Sequence, residues 1–104
     1  MLFLIDIGNT HSVLGLLKNG TIKKQWRIKT DCCMTSDELE IVIHNLFSMN
    51  NLSQAEIKGV IVSSVVPQLD SAYDACLRDL FAPLPSERIL NVTSDNVAGL
   101  IKIK

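Results

Sequence analysis

The chain opens on Met1-Leu2-Phe3-Leu4-Ile5, apolar at every position and followed by Asp6-Ile7, a run that reads as a strand buried on both faces. Residues 2–7 are thus the first predicted strand and residues 12–17 the second. Asn19-Gly20 predicts a type I′ hairpin turn into a third strand, 21–29. In that strand Ile22, Trp26 and Ile28 are expected on one face, with Lys23, Gln25 and Arg27 on the other, wet face. Such a pattern suits the edge of an antiparallel meander, where outward charges discourage edge-to-edge pairing.

The period then changes. Thr35 and Glu38 have the spacing of a capping box, and Leu39, Val42, Ile43, Leu46 and Phe47 recur at helical intervals until Asn50-Asn51. His44 falls off that stripe and reads as a solvated surface residue. Ser53 and Glu56 suit a single turn, and residues 59–66 are β-branched and apolar enough for a central strand. Pro67 stops that strand and fits the first turn of a second helix with the stripe Leu69, Tyr73, Cys76, Leu77 and Leu80. Pro83 and Pro85 separate it from a short strand, 88–92, and 97–103 reads as another. Strand, helix and strand in succession form a βαβ crossover, which makes this an α/β chain with a mixed sheet.

Composition narrows the class. A length of 104 residues with 47% hydrophobic content suits one globular domain with a modest core. Ten basic residues against eleven acidic give a formal charge of −1, with no general attraction for nucleic acid or an anionic membrane. The amino-terminal apolar run is broken by Asp6 and has no basic leader, so it does not read as a signal peptide, and no apolar stretch approaches the roughly 20 residues of a membrane span. Cys32 and Cys33 are adjacent and Cys76 lies in a helical pattern, so no disulfide framework or Cys-x-x-Cys pair is present. These are expected to be loop and core thiols in a cytoplasmic protein.

The chemistry concentrates in Asp6-Ile7-Gly8-Asn9-Thr10. A carboxylate inside an otherwise apolar strand must be supported by a cation or by hydrogen-bond donors. Gly8 lets backbone amides approach a ligand closely, Asn9 and Thr10 add short polar side chains, and the Asp6 carboxylate could hold a hydrated magnesium ion. Gly-Asn between apolar runs is equally a hairpin signal, and the two readings are compatible. No P-loop, dinucleotide-binding glycine motif, nucleophile triad or zinc-ligand spacing occurs in the chain.

The stretch Asp6-Ile7-Gly8-Asn9-Thr10-His11-Ser12-Val13-Leu14-Gly15 resembles the first phosphate motif of the type III pantothenate kinases, within the actin, sugar kinase and Hsp70-like ATPase superfamily. Thr35-Ser36-Asp37-Glu38-Leu39, Ser63-Ser64-Val65-Val66-Pro67 and Gly99-Leu100-Ile101-Lys102-Ile103-Lys104 match the same family in order. The resemblance implies a ribonuclease H-like half of an actin-like ATPase fold across residues 1–104, with helices packed on a mixed sheet. It implies ATP-dependent phosphorylation of pantothenate, the first step of coenzyme A biosynthesis, with Mg2+ and a monovalent cation, K+ or NH4+, as cofactors and a homodimer as the complete protein. Asp6, Ile7, Gly8, Asn9, Thr10, His11, Ser12 and Val13 would form the ATP-phosphate loop, Asp6 holding the metal through water.

The family continues into a Gly-Ala-Asp-Arg segment, whose aspartate is the proposed general base, and then into a second phosphate segment, Asp-Phe-Gly-Thr-Ala-Thr-Thr, which also serves the monovalent cation. Neither occurs in this sequence. The catalytic base is therefore expected beyond Lys104, and the 104 residues alone are expected to be inactive. A second reading is a non-catalytic homologue that binds nucleotide or a protein partner. A sugar or acetate kinase fits less well, given Asn9 and the Ser63-to-Pro67 motif.

Overall fold

The computed structural model describes residues 1–92. Among these described residues five strands form one sheet in the order β3-β2-β1-β4-β5, where β1 is Leu2–Ile7, β2 His11–Lys18, β3 Thr21–Lys29, β4 Gly59–Ser64 and β5 Ile89–Asn91. The first three strands are the antiparallel meander, while β4 runs parallel to β1 and β5 parallel to β4. The expected strand 97–103 lies outside the described residues.

Helices α1 (Ser36–Met49) and α2 (Pro67–Leu80) both lie on the face presented by Phe3, Ile5, Ile7, Leu14, Leu16, Val60 and Val62. Phe3 anchors this core, edge-on to Phe47 with ring centroids 5.3 Å apart and 5.8 Å from Phe81, and Trp26 stacks over Phe47 from the edge strand. Thr35 Oγ1 accepts the Glu38 N–H at 3.2 Å and Glu38 returns a bond to the Thr35 N–H at 2.9 Å, so the predicted capping box starts α1. The helix ends in a Schellman motif: Asn51 takes φ 57°, its N–H reaches Ser48 O, and the Leu52 N–H reaches Phe47 O.

The hairpin turn at Asn19-Gly20 has positive φ at both residues, as the type I′ reading requires. One expectation for β3 fails. The pairing passes from Leu16↔Lys24 to Leu17↔Ile22, leaving Lys23 as an extra residue. Alternation therefore restarts at this bulge, and Ile22 leaves the face of Trp26 and Ile28. It packs on the opposite face with Leu2, Leu4, Leu17 and Ile61. Boundaries also shift at the ends of β4 and β5. The central strand stops at Ser64, because Ser64 Oγ accepts the Val66 N–H at 3.0 Å and turns the chain toward α2. Arg88 closes a short 3-10 turn, so β5 begins at Ile89.

Candidate phosphate site at the ends of the parallel strands

β1 and β4 are parallel neighbours from which the chain departs in opposite directions, toward β2 on one side and through α2 toward β5 on the other. Ligands bind outside the carboxyl ends of such strands, where diverging connections leave room between them. Gly8-Asn9-Thr10 stands at that end of β1 and Ser64-Val65-Val66 at that end of β4. The two segments are tied by the Val65 N–H, which donates to Ile7 O at 3.0 Å.

Strand alternation divides the predicted residues between two faces. Asp6 shares the face of Leu2 and Leu4, away from the helices, and is half-buried with Val13 and Ser63 beside it in register. Ile7 is fully buried beneath the helices, so it can serve a ligand only through its backbone. Asn9, Thr10 and His11 are exposed. Ser12 points inward, its hydroxyl 2.7 Å from Thr30 Oγ1 and also hydrogen-bonded to Tyr73, so its side chain supports the hairpin from below. Val13 is buried on the Asp6 face.

Gly8 has a geometric reason of its own. Its N–H donates to His11 O at 3.1 Å, and a Cβ at this position would stand 2.7 Å from that carbonyl oxygen. The connection is thus a hairpin, as the Gly-Asn signal suggests, but none of residues 8–10 takes a positive φ, so it is not a primed turn. Glycine is required by close approach within the hairpin, not by a left-handed backbone. Thr10 O accepts the Thr30 N–H at 2.9 Å, which fixes the hairpin tip to the end of β3. Among the described residues the Asn9 and Thr10 amides make no backbone hydrogen bond, and they remain as donors at the tip.

Ser63 was not among the site residues expected from sequence, yet it is buried and directly paired with Asp6 across the β1–β4 ladder. The available signal was a pair of serines closing an apolar strand. Beneath the hairpin, burial pushes the Tyr73 phenol up to about 12, with Cys76 adding to the rise and the Ser12 hydrogen bond opposing it. Burial likewise pushes the Cys76 thiol up to about 12, with Glu40 and Asp79 adding to it, so this cysteine is an inert core group.

Two hollows can be set aside. One of about 390 Å3 lies by Ser64 and Asn91, but it presents Asp70 and Asp74, which repel phosphate, and Asp74 is paired with Arg78 at 3.0 Å. Another, of about 560 Å3, runs along α1 and α2 past Glu40, Ile41, His44 and Asp79, in the layer on the opposite side of the sheet from the Asp6 side chain. His44 is exposed there and bonded to Gln54 at 3.3 Å, as expected of a surface residue.

Residues 2–103 match the family model for type III pantothenate kinase. The chain belongs to the type III pantothenate kinase family. It is 36% identical over 104 residues to a type III pantothenate kinase of Desulfotalea psychrophila, covering 100% of this chain and 39% of that protein. It is 40% identical over 85 residues to one from Geotalea uraniireducens, covering 82% of this chain and 33% of the relative. The chain thus spans well under half the length of the curated relatives it matches. Among solved structures, a Porphyromonas gingivalis protein assigned as an N-acetylglucosamine kinase superposes with a TM-score of 0.67 at 13% identity, over 90% of this chain and 34% of that one. That likeness bears on fold alone. The mixed five-stranded sheet with its helices is the ribonuclease H-like, actin-like ATPase architecture expected for the family.

Proposed function

We propose that this chain supplies the first ATP-phosphate loop of a kinase that phosphorylates pantothenate to 4'-phosphopantothenate. The observation that carries this reading is the Gly8-to-His11 hairpin at the carboxyl end of β1, with Asp6 and Ser63 side by side beneath it, in a chain matched to the family over residues 2–103. Phosphoryl transfer asks little covalent chemistry of the protein and much positioning and charge neutralisation. The Asn9 and Thr10 amides and side chains can bind phosphate oxygens at the tip, and the bonds to Thr30 and His11 hold those donors in place before ligand arrives.

A single carboxylate at the end of β1 fits a hydrated magnesium ion, which takes one or two carboxylates and completes its shell with water and phosphate. Among the described residues no group of three or more His, Cys, Asp or Glu side chains could form an all-protein cage. Asp6 would hold such an ion through water, and the ion would neutralise charge on the phosphates. The monovalent cation, the base acting on the pantothenate hydroxyl and the second phosphate loop are assigned to parts of the family's proteins beyond these 104 residues.

The test is a chimera in which this chain replaces the matched segment of the Desulfotalea psychrophila relative. Mass spectrometry should detect phosphopantothenate formed from ATP and pantothenate. A folded chimera that binds ATP but makes no product would contradict the reading and favour a non-catalytic nucleotide-binding homologue.

A further inference from the structure

Cys32 and Cys33 take no part in the phosphate site, yet the fold arranges them with some care. They occupy the two corner positions of a β-turn closed by the Met34 N–H on Asp31 O at 3.2 Å, and the Asp31 carboxylate accepts the Cys33 N–H at 3.0 Å. Both side chains are exposed, and their Sγ atoms stand 3.9 Å apart. Neighbouring side chains in an extended strand point to opposite faces, so it is the turn that brings these two sulfurs together.

The spacing distinguishes between two kinds of chemistry. Two sulfurs each about 2.3 Å from one tetrahedral centre stand about 3.8 Å apart, and a pyramidal trivalent centre, with its narrower angle, draws them somewhat closer, a short side-chain adjustment from the 3.9 Å observed. A direct disulfide needs an S–S bond of about 2.05 Å and normally Cα atoms at least about 4.4 Å apart, whereas adjacent residues hold theirs at about 3.8 Å. One bridging atom therefore fits this turn better than a disulfide. Among the described residues no third His, Cys, Asp or Glu completes a metal-ligand group, which argues against a four-coordinate zinc and for a centre satisfied by two sulfurs and a substituent of its own.

We propose that Cys32 and Cys33 form a two-thiol site for soft thiophilic centres of the trivalent organoarsenical class, one atom bridging both sulfurs. With phenylarsine oxide the step is a condensation: two As–S bonds form, both S–H bonds and the arsenic–oxygen bond break, and the oxygen leaves as water with the two thiol protons. Nothing is oxidised or reduced. Cys32 and Asp31 raise the Cys33 pKa and keep that thiol protonated, which the condensation accommodates because it consumes the protons. The turn follows directly on Thr30, whose N–H holds Thr10 O, so an occupant would abut the phosphate hairpin. That consequence rests on the kinase reading; the binding itself does not.

The experiment is intact-mass spectrometry of the 104-residue chain after phenylarsine oxide treatment in excess monothiol, with reversal by a dithiol. The expected result is one adduct, equal to one reagent less one water, which survives monothiol, is removed by dithiol and maps after digestion to the Cys32-Cys33 peptide, not to Cys76. Because the second thiol acts intramolecularly, Cys32→Ser and Cys33→Ser should each weaken retention by roughly 10²-fold or more. Circular dichroism of both variants should match the parent, as these are exposed turn positions. Loss of the parent adduct to monothiol, equal retention by either single variant, or an adduct on Cys76 would overturn the proposal.

Discussion

At the residue scale, the candidate site is built from a few positions whose neighbours dictate them. Gly8 is the clearest case, since any Cβ there would meet His11 O at 2.7 Å. Gly8→Val should open the hairpin, lowering both thermal stability and magnesium-ATP affinity in the chimera, whereas Asn9→Ala at the exposed tip should cost only affinity, by about 1 to 3 kcal/mol. Calorimetric titration and thermal melts of both variants rank them, and a larger affinity loss for Asn9→Ala would mean that the backbone does not cradle phosphate. Tyr73 gives a pH signature. Its folded pKa of about 12 lies above the ordinary 10, so the native state holds this proton more tightly. Its contribution is fully present below pH 10 and is lost as pH rises toward 12, the loss being on the order of 1 kcal/mol by pH 11. Tyr73→Phe should flatten that part of the alkaline decline in urea denaturation curves; an unchanged slope would show that the phenol ionises freely. Asp6 was legible in the sequence because a carboxylate interrupts an apolar run. The inward turn of Ser12 and the pairing of Ser63 with Asp6 were not, because both depend on strand register, which is set by partners far away in the chain.

At the element scale, strands and helices were legible wherever period and caps agreed. The Thr35 and Glu38 capping box and the Asn50-Asn51 terminus bracket α1 as the sequence suggests. Thr35→Ala should cost about 1 kcal/mol, and Phe47→Ala, which empties the aromatic centre of the core, about 3 to 5 kcal/mol. Denaturant midpoints for the pair check both, and near-equal losses would contradict the packing described. The face of Ile22 could not be read from β3, because a bulge leaves no mark in a strand's own alternation. Since Lys23 is the extra residue, deleting it should leave Leu17 opposite Ile22 and change stability by no more than about 1 kcal/mol. A deletion that unfolds the protein would show that the strand pairs regularly through Lys23.

At the scale of the whole molecule, the α/β class and the meander followed from periodicity and the ribonuclease H-like architecture from the family resemblance, whereas the strand order β3-β2-β1-β4-β5 is given by the structure. That order brings scattered motifs together at the candidate site. It sets β4 parallel to β1, places the Ser63-Ser64 pair beside Asp6 and the Gly8-to-His11 hairpin, and sends the two connections apart. The family match over residues 2–103 carries the family, and the fold shared with the Porphyromonas gingivalis protein bears on architecture alone. The most direct measurement of the central claim is the turnover of the Asp6→Asn chimera at saturating ATP and pantothenate. If Asp6 positions metal and phosphate for transfer, turnover should fall by roughly 10²-fold or more while the chimera keeps its native circular dichroism. Turnover equal to that of the parent chimera would contradict the account.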